Sequence, residues 1–437
     1  MPAVVVVGGG VSGLTCAWRL QRAGFDVEVL EREETPGGRM RSELRDGFVL
    51  ERGARFVASA DRNLHAVVRA LDLEAQLRPL VHSTRAILHE GRLHPLAPEA
   101  PLRLLASSLL SFRAKLRLVR LAAELAGRWQ RLDPLRPELA AALDGENLAA
   151  GLRRRVGDEN FERFFAPLAA YAMDSEAHEL SFASGLLALR SVAAGIRLES
   201  FEGGMGLLTR SLASRVSVRS GCEVLAVETE TDGARVRYRA RGRESRVIAD
   251  AVVVAVPGDR VGGLCPKLTP EERGFFEHVR YARGITAQLL LEAEPAGLPF
   301  AHVVFPRSEG LDLSGLCFGH RRVGAAPPGT GLLEVSFGGA AALQWWKASD
   351  ETIAECAVDT LARTPIGRVA PFDFAVQRSP NMLPRFGPGA LRRLARFLRR
   401  MDRSPRLAFA GDYLVGPSAE GGVTSGMRAA TEIERSL

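Results

Sequence analysis

Three glycines near the N-terminus, Gly8, Gly10 and Gly13, have the G-x-G-x-x-G spacing that can hold a pyrophosphate. They follow four consecutive valines, which predict a short buried strand, and they precede an amphipathic segment that predicts a helix. In such a turn the first glycine lets the chain reverse, the second lets backbone N–H groups approach a phosphate, and the third lets helix and strand pack closely. Val11 and Ser12 then lie in the first turn of the helix. The spacing predicts a dinucleotide-binding βα turn.

An acidic residue follows at the distance that this kind of turn requires. A second predicted strand, residues 26–30, ends at Glu31, eighteen residues after Gly13. A carboxylate there can accept hydrogen bonds from a ribose diol, and its charge disfavours a cofactor with a 2′-phosphate. Arg32 lies at the same turn and is an expected neighbour of the cofactor. The strand, helix and acid together distinguish this site from an ordinary tight turn.

The composition is typical of a globular protein with an ample core. The chain has 437 residues, 46% of them hydrophobic and 25% charged, and this length predicts two or three domains. No apolar run approaches eighteen residues and the chain starts directly with a predicted strand, so we expect neither a spanning helix nor a signal peptide. Five scattered cysteines and eight dispersed histidines form no metal-binding motif, so no metal is expected. These features favour a cytoplasmic protein with reduced thiols.

Basic charge is concentrated in two stretches and is almost entirely arginine. The net charge is +7, with 11 basic and 5 acidic residues in 101–155, and seven arginines against Asp402 in 389–406. The basic helices predicted in 101–131 and 389–406 could contact an anionic membrane surface, at the inner face of the membrane, or an acidic carrier protein. No nucleic-acid-recognition motif is present, so nucleic acid is not an expected partner. Nothing in the sequence indicates an oligomeric state.

The first of these basic stretches has a patterned apolar side. On the long helix predicted from residue 102 to 129, one side carries Leu105, Leu109, Phe112, Leu116 and Val119, with basic residues interleaved. This side could lie on anionic lipid, whereas the more ordinary interpretation packs it on the core and leaves the charges in solvent.

A turn after Glu31 adds a third feature to the N-terminal pattern and makes it more specific than a glycine-rich turn alone. Pro36, Gly37 and Gly38 precede Arg39, so that a glycine-rich βα unit, an acid and a GGR sequence follow one another. This order resembles the N-terminus of the flavin amine oxidase superfamily, which includes protoporphyrinogen oxidase, monoamine and polyamine oxidases and phytoene-desaturase-type enzymes. The resemblance implies FAD as the cofactor, with Arg39 reaching its phosphates.

The segment that follows also resembles that superfamily. Residues 50–57, LERGARFV, match a family segment that passes close to the flavin ring, which implies that Gly53, Ala54 and Arg55 lie there. The strand around residues 223–226 matches the one that touches the adenine end, which implies a contact from Val224. A buried strand ending at Pro257 implies a turn near the cofactor.

The C-terminal stretch LAFAGDYLVGPSAEGGVTSGMRAATEI resembles the closing motif of the same superfamily. The resemblance implies that Gly411 and Asp412 bind the phosphate–ribityl portion of FAD. It also implies that Gly422, Val423 and Met427 lie near the isoalloxazine. The start of the final helix can in addition offer N–H groups and the positive end of its dipole to the cofactor.

The resulting fold class is α/β: a Rossmann-like FAD-binding domain and a mixed α+β substrate domain, interleaved in sequence as in amine oxidases. The FAD-binding domain is assigned to residues 1–60, 192–260 and 372–437. The substrate domain is assigned to a helical segment, 61–191, and to a segment of strands and one helix, 261–371. Within the latter, a helix from Asp350 to Arg363 is predicted, with Ser349 as its cap.

Two sequence differences from members of the superfamily restrict the reactions that this chain is expected to catalyse. Many amine-oxidising members carry a lysine on a substrate-domain strand, and by register this position is Gln288. Monoamine oxidases attach FAD through a late cysteine, but no cysteine follows Cys356, so FAD is expected to be non-covalent. The protoporphyrinogen-oxidase and desaturase branches resemble this chain better than a covalent monoamine oxidase does, especially through residues 381–389, NMLPRFGPG, which are similar to their proline-containing segment near the flavin.

The implied function is an FAD-dependent dehydrogenation of a C–N or C–C bond in a small molecule, by hydride transfer to flavin N5. Reoxidation by O2 or a quinone would follow, and the product would be porphyrin-like, a terpenoid or a secondary metabolite. Arg55 and Gln288 are the candidate catalytic residues. An amine oxidase that forms an imine and H2O2 is one alternative, and a non-catalytic FAD-binding scaffold is another.

Overall fold

The computed structural model describes residues 1–81, 84–96, 107–193, 197–230, 232–295, 297–401 and 404–437. Two parts of the predictions lie outside these residues: Leu105 with the rest of 101–106, and residues 402–403 of the second basic stretch.

The described residues contain twenty strands. In chain order they are β1 (Ala3–Val7), β2 (Asp26–Leu30), β3 (Ser42–Arg45), β4 (Phe48–Glu51), β5 (Val57–Ala58), β6 (Leu77–Pro79), β7 (Arg85–His89), β8 (Arg92–Leu96), β9 (Leu198–Phe201), β10 (Ser217–Arg219), β11 (Cys222–Thr229), β12 (Ala234–Ala240), β13 (Arg243–Ala249), β14 (Ala251–Val254), β15 (Tyr281–Leu291), β16 (His302–Val304), β17 (Gly315–Phe318), β18 (Gly331–Phe337), β19 (Asp373–Pro384) and β20 (Leu407–Phe409).

The described part also contains thirteen α-helices. In chain order they are α1 (Val11–Arg22), α2 (Arg62–Ala70), α3 (Phe112–Ala126), α4 (Leu148–Asn160), α5 (Ala166–Ala172), α6 (Phe182–Ala193), α7 (Gly206–Ala213), α8 (Gly258–Leu264), α9 (Pro270–Phe276), α10 (Ala340–Trp345), α11 (Asp350–Ala362), α12 (Ala390–Arg399) and α13 (Ala419–Ser436).

A five-stranded parallel sheet forms the first layer, in the order β10-β2-β1-β14-β20. Val4 and Val6 of β1 face α1 and α13 and pack with Leu20 of α1 and Ile433 of α13. The alternate valines of β1 belong to a second buried cluster on the opposite face. Because both faces are covered, a continuous run of valines is stable in this strand. The sheet confirms the Rossmann-like architecture.

A seven-stranded mixed sheet forms the second layer, in the order β19-β15-β18-β17-β16-β7-β8. One face packs against α10 and α11 through residues such as Val335, Phe337 and Ile353. The other face turns toward the first layer, because Leu290 and Leu332 pack against Phe48 of β4. Polar residues of that same face therefore lie beside the loops that follow the glycine-rich turn.

The prediction that residues 61–191 are helical is wrong at three strands. β6 pairs with β9, while β7 and β8 form a hairpin that extends the seven-stranded sheet through β16. The hairpin turns at Glu90 and Gly91, whose φ values are 50° and 71°. Ile87 of β7 is buried against Val304 of β16, which lies far away in sequence, and against Leu109 and Leu110. Helical periodicity in the neighbouring sequence does not predict such long-range pairing.

Two predicted helices have different outcomes. The long basic helix is shorter than predicted, because α3 begins at Phe112 while Leu109 and Leu110 are buried in the turn before it. The helix predicted from Asp350 is confirmed, ending one residue early, and the Ser349 hydroxyl accepts a hydrogen bond from the Thr352 N–H at 3.2 Å. No helix of the described part is long and apolar enough to cross a membrane.

Candidate active site

The glycine-rich turn connects β1 to α1, and its glycines are required by close contacts. Gly8 has a φ of 109°, and a Cβ there would lie 2.7 Å from the Ala255 carbonyl oxygen. A Cβ on Gly13 would overlap the Gly8 carbonyl oxygen. At Gly10, by contrast, a Cβ would meet nothing within 4 Å. The open space beside the first turn of α1 is therefore where a ligand can approach the free N–H groups of Val11 and Ser12.

The Glu31 carboxylate lies against this turn from the end of β2. Its Oε2 accepts a hydrogen bond from the Gly9 N–H at 2.5 Å, and its Oε1 accepts one from the Glu33 N–H at 2.8 Å. Its backbone carbonyl accepts from the Cys222 N–H at 2.7 Å, so β11 and the half-buried Val224 begin at the same place. Arg32 is exposed and pairs with Glu33. The residues predicted for the adenosine end are thus close together, with Arg32 at their solvent side.

The GGR turn packs directly on the glycine-rich turn. The Gly37 N–H donates to the Gly9 carbonyl oxygen at 2.8 Å, and a Cβ on Gly38 would lie 3.5 Å from Gly10 Cα. The Arg39 guanidinium then donates to Asp412 Oδ2 and to the Met382 carbonyl oxygen, each at 2.8 Å. The two motifs that lie nearly four hundred residues apart in sequence therefore meet through an ion pair.

Asp412 is the clearest sign of an expected ligand at this place. It is only 5% exposed, and its Oδ1 has no hydrogen-bond partner among the described residues. A buried carboxylate oxygen without a donor is costly, so such atoms in native proteins usually meet a ligand or water. A ribityl hydroxyl would supply the donor. The open space at Gly10 and the unpartnered Asp412 oxygen therefore fit FAD.

The N-terminus of α13 packs against the N-terminus of α1. A Cβ on Gly422 would lie 2.8 Å from Val11 Cγ1, and a Cβ on Gly426 would overlap the Ser12 carbonyl oxygen. The Gly411 N–H donates to the Ser425 hydroxyl at 2.7 Å, which ties the end of β20 to the same helix.

Val423 and Met427 occupy a hydrophobic cluster next to this helix contact. Val423 is fully buried there with Leu14 and Trp18 of α1, and the half-buried Met427 packs against the same cluster. Their predicted position at the isoalloxazine remains a prediction.

The loop after β4 joins the cofactor turn to the second sheet. The Ala54 N–H donates to the Arg39 carbonyl oxygen at 3.0 Å, and a Cβ on Gly53 would lie 2.7 Å from that oxygen. Arg55 follows and reaches Ser336 on β18. Pro257 is the N-cap residue of α8 and follows Ala255 and Val256, which lie against Gly8. These positions place the loop between the glycine-rich turn and the mixed sheet.

Gln288 lies in a buried polar network on the face of the mixed sheet that turns toward the first layer. Its amide nitrogen donates to the Glu51 carbonyl oxygen at 2.9 Å and to Glu334 Oε1 at 3.4 Å. Glu334 is paired with Arg322, and both are essentially inaccessible to solvent. Burial raises the pKa of Glu51 to about 7, although the nearby Arg322 lowers it. A neutral, hydrogen-bonded amide therefore stands where the family resemblance implies a lysine.

Three further polar side chains surround Arg55 on the same sheet face. The Tyr171 hydroxyl lies 2.8 Å from His302 Nδ1, and the buried Asp174 interacts electrostatically with Arg55. No motif marks these residues, because they come from separate segments that only the fold brings together.

A cavity of about 330 Å³ lies elsewhere in the second layer. Helices α4 and α5, the loop after β16 and α10 enclose it, and its polar lining includes Arg153, Glu176 and Arg307. None of the residues predicted for the cofactor lines this cavity. The cavity is therefore separate from the glycine-rich turn.

Comparison with known proteins agrees with this geometry. A family model described as flavin containing amine oxidoreductase matches residues 11–434. The coproporphyrinogen III oxidase of Mycobacterium tuberculosis (strain ATCC 25618 / H37Rv) is 29% identical over 466 residues, which cover 99% of this chain and 97% of that protein.

Two solved structures have the same fold over nearly the whole chain. A putative protoporphyrinogen oxidase from Exiguobacterium sp. 255-15 is 22% identical with a TM-score of 0.78, and covers 100% of this chain and 99% of its own. Wild-type putrescine oxidase bound to putrescine is 20% identical with a TM-score of 0.82, and 99% of each chain is covered.

Proposed function

This chain belongs to the family of flavin-containing amine oxidoreductases, and we propose that within this family it oxidises a porphyrinogen rather than an amine. It is an FAD-dependent oxidoreductase, as the family match over residues 11–434 shows. The observation that carries the substrate proposal is the end-to-end similarity to a coproporphyrinogen III oxidase, over 99% of the chain. A porphyrinogen is a cyclic tetrapyrrole whose carbon bridges and ring nitrogens lose hydrogen to form C=C and C=N bonds.

Different residues of the site would hold different parts of FAD, without a covalent bond. When bound, FAD supplies the two-electron acceptor for dehydrogenation. The N-terminus of α1 would hold the pyrophosphate, Glu31 the ribose diol, and Asp412 a hydroxyl of the ribityl chain. Arg39 would neutralise phosphate charge while its ion pair with Asp412 keeps it in place. The buried face of the mixed sheet would keep water away from the reacting carbon.

The position of Gln288 favours a porphyrinogen over an amine. In the superfamily this position commonly holds a lysine in amine oxidases, whereas the Gln288 amide is already bonded to the Glu51 carbonyl and to Glu334. A neutral amide cannot provide the charge or the proton exchange of a lysine ammonium. Amine oxidation therefore lacks one of its usual groups here.

Anaerobic reduction tests this proposal. The FAD-loaded protein is mixed without oxygen with coproporphyrinogen III, protoporphyrinogen IX or putrescine, and the flavin absorbance near 450 nm is followed. We expect bleaching with a porphyrinogen and none with putrescine. Porphyrin fluorescence should follow when O2 or a quinone is admitted, because one FAD accepts only two of the electrons that full oxidation to a porphyrin releases. Bleaching by putrescine alone would support the amine oxidase alternative, and no bleaching by any substrate class would favour a non-catalytic FAD protein.

We further propose that α3 rests on an anionic membrane surface. Its inner side buries Ala114, Leu121 and Leu125, so the ordinary expectation would leave only polar residues outside. Instead Phe112, Leu116 and Val119 are 75%, 53% and 52% exposed. These three positions share one helix face, opposite the buried one.

Basic residues border this exposed apolar stripe. Arg113, Arg117 and Arg120 lie along one edge and Lys115 along the other, as their spacing on α3 requires. An apolar stripe between basic edges is the pattern of a helix lying in a lipid headgroup region. In the other basic helix, α12, Leu391, Leu394 and Phe397 are buried, so it offers arginines without an apolar stripe.

Vesicle flotation with matched variants tests the membrane proposal. Replacing Phe112, Leu116 and Val119 by serine is expected to abolish flotation with phosphatidylglycerol vesicles at low salt. Replacing the exposed α12 arginines, Arg392 and Arg396, by serine is the control and should change flotation much less. Equal flotation of wild type and the α3 variant would refute the proposal, and binding to an acidic protein but not to vesicles would favour a carrier-protein contact.

A further inference from the structure

Arg55 is a partly buried arginine whose charge has no close partner. Both of its terminal nitrogens lie 3.4 Å from the Ser336 hydroxyl, at the long end of hydrogen-bonding distance. No carboxylate of a described residue forms an ion pair with it. Two buried arginines of the described part differ, since Arg322 pairs with Glu334 and Arg400 pairs with Glu272.

A partly buried guanidinium without an ion-pair partner is energetically unfavourable. Removing a charge from water without a partner is unfavourable by several kcal/mol, so native proteins rarely retain one unless it meets a ligand. Glu334 interacts electrostatically with Arg55, but its carboxylate oxygens are hydrogen-bonded to Arg322 and form no ion pair with Arg55. The guanidinium fork is therefore free to bind an anion.

The groups around Arg55 are mostly neutral. The Tyr171 ring lies against the backbone of Gly315, where any Cβ would overlap it, and its hydroxyl contacts His302 Nδ1. Burial lowers the pKa of His302 well below its usual value, and Arg85 and Arg55 lower it further, so the imidazole is neutral. Phe56 covers His302 edge-on at 5.2 Å between ring centres. These three side chains add no negative charge, and the charge of the nearby Glu334 is balanced by Arg322.

Asp174 is the remaining acid near Arg55, and it compensates the charge only in part. It is 9% exposed, has a φ of 47° at the end of α5, and receives no hydrogen bond on its carboxyl from a described residue. Burial raises its pKa to about 7, although Arg55 lowers it. At neutral pH this carboxyl is therefore protonated for a large part of the time, and a net positive charge remains at Arg55.

We propose that Arg55 binds a carboxylate of the substrate through its guanidinium group. The contact with the Ser336 hydroxyl holds this group on the face of the mixed sheet. The identity of the substrate rests on the proposed function: a coproporphyrinogen carries carboxylates at its rim, separate from the carbons that react. A bidentate carboxylate would satisfy the two nitrogens that now share one hydroxyl. Arg55 would thus fix the orientation of the ring in the site rather than take part in bond breaking.

Equilibrium binding of an oxidised ligand tests this role without turnover. Coproporphyrin III, which is fluorescent, and its tetramethyl ester are titrated into the FAD-loaded protein in the same dilute detergent. Arg55→Met is expected to weaken binding of the acid at least about 30-fold, because one partner of a desolvated charge pair is removed. Binding of the ester should change less than about twofold. Arg55→Lys should recover part of the affinity for the acid.

Controls distinguish a specific loss of carboxylate binding from a general structural effect and from failure of the proposed function. Arg283→Met removes an exposed arginine of β15 that lies over Trp346, and should leave both affinities unchanged. FAD content and melting temperature of each variant show whether it is folded. Equal weakening of acid and ester by Arg55→Met, or a loss of FAD with unchanged porphyrin binding, would overturn the role in carboxylate binding. A wild-type protein that binds neither porphyrin would instead overturn the proposed function, and this inference with it.

Discussion

Replacing Gly10 by alanine isolates the contact between the chain and the cofactor phosphates. Gly10 has φ −76° and ψ 175°, which any residue can adopt, and a Cβ there would meet no atom within 4 Å. The substitution should therefore change the free energy of unfolding of the FAD-free protein by no more than about 1 kcal/mol, the scale of an N-cap effect. The methyl group would instead occupy the open space beside the first turn of α1.

The expected loss of FAD affinity follows from the N–H groups that the methyl group would block. A hydrogen bond to a charged partner contributes about 1.5–3 kcal/mol, so losing one should weaken FAD binding roughly 10- to 150-fold. Gly13→Ala should behave differently, because its Cβ would overlap the Gly8 carbonyl oxygen and disturb the turn itself. That variant should lose both stability and FAD.

Fluorescence titration of FAD into the deflavinated protein measures the affinity, and thermal melting of the same sample measures stability. Gly263→Ala is a matched control, since Gly263 is exposed on α8 and a Cβ there also meets nothing within 4 Å. It should leave FAD affinity unchanged. A Gly10→Ala protein that is folded and binds FAD as tightly as wild type would refute the placement of the pyrophosphate at α1.

Three other substitutions test the buried charges. Asp412→Asn removes the charge that holds Arg39 and is expected to weaken FAD binding about tenfold in the same titration, a loss that an unchanged affinity would contradict. The pKa of Asp174 is raised from 3.8 to about 7, so ionisation of this carboxyl destabilises the folded protein increasingly as the pH rises between these values. Asp174→Asn should therefore raise the melting temperature above pH 7, with a gain in the free energy of unfolding of at most about 4 kcal/mol. This gain should decrease toward pH 4.5. Arg322→Met leaves Glu334 buried and unpaired and should destabilise the protein by about 3–5 kcal/mol in denaturant unfolding, while the double variant with Glu334→Leu should recover most of that loss.

The cofactor half of the fold could be predicted because its constraints are local. The spacing of Gly8, Gly10 and Gly13, with an acid at Glu31, is dictated by a short strand, a tight turn and a helix that follow each other directly. The GGR turn is similarly local, and its contact with Gly9 follows from the same compact unit. The Arg39–Asp412 ion pair joins two predicted motifs, although neither motif alone predicts the pairing.

The substrate half was less predictable because its constraints are long-range. The β7–β8 hairpin is stable through pairing with β16, and residues such as Ile87 are buried only in that sheet. The exposure of Leu116 on α3 could not be inferred from periodicity, which shows that a face is apolar but not which side meets the core. The polar groups around Arg55 likewise come from distant segments, so only the fold reveals Asp174 and His302 as its neighbours.

The most direct measurement of the central claim is an anaerobic reaction of the purified, FAD-loaded protein with coproporphyrinogen III. We expect releasable FAD in the protein and loss of its absorbance near 450 nm on mixing. A fluorescent porphyrin should form only after O2 or a quinone is admitted, and faster than in an enzyme-free control, because one FAD accepts two electrons and full oxidation of the ring needs three such steps. A protein that contains no FAD and cannot be reconstituted with it would contradict the cofactor assignment. A flavin that putrescine reduces and coproporphyrinogen III does not would contradict the proposed substrate.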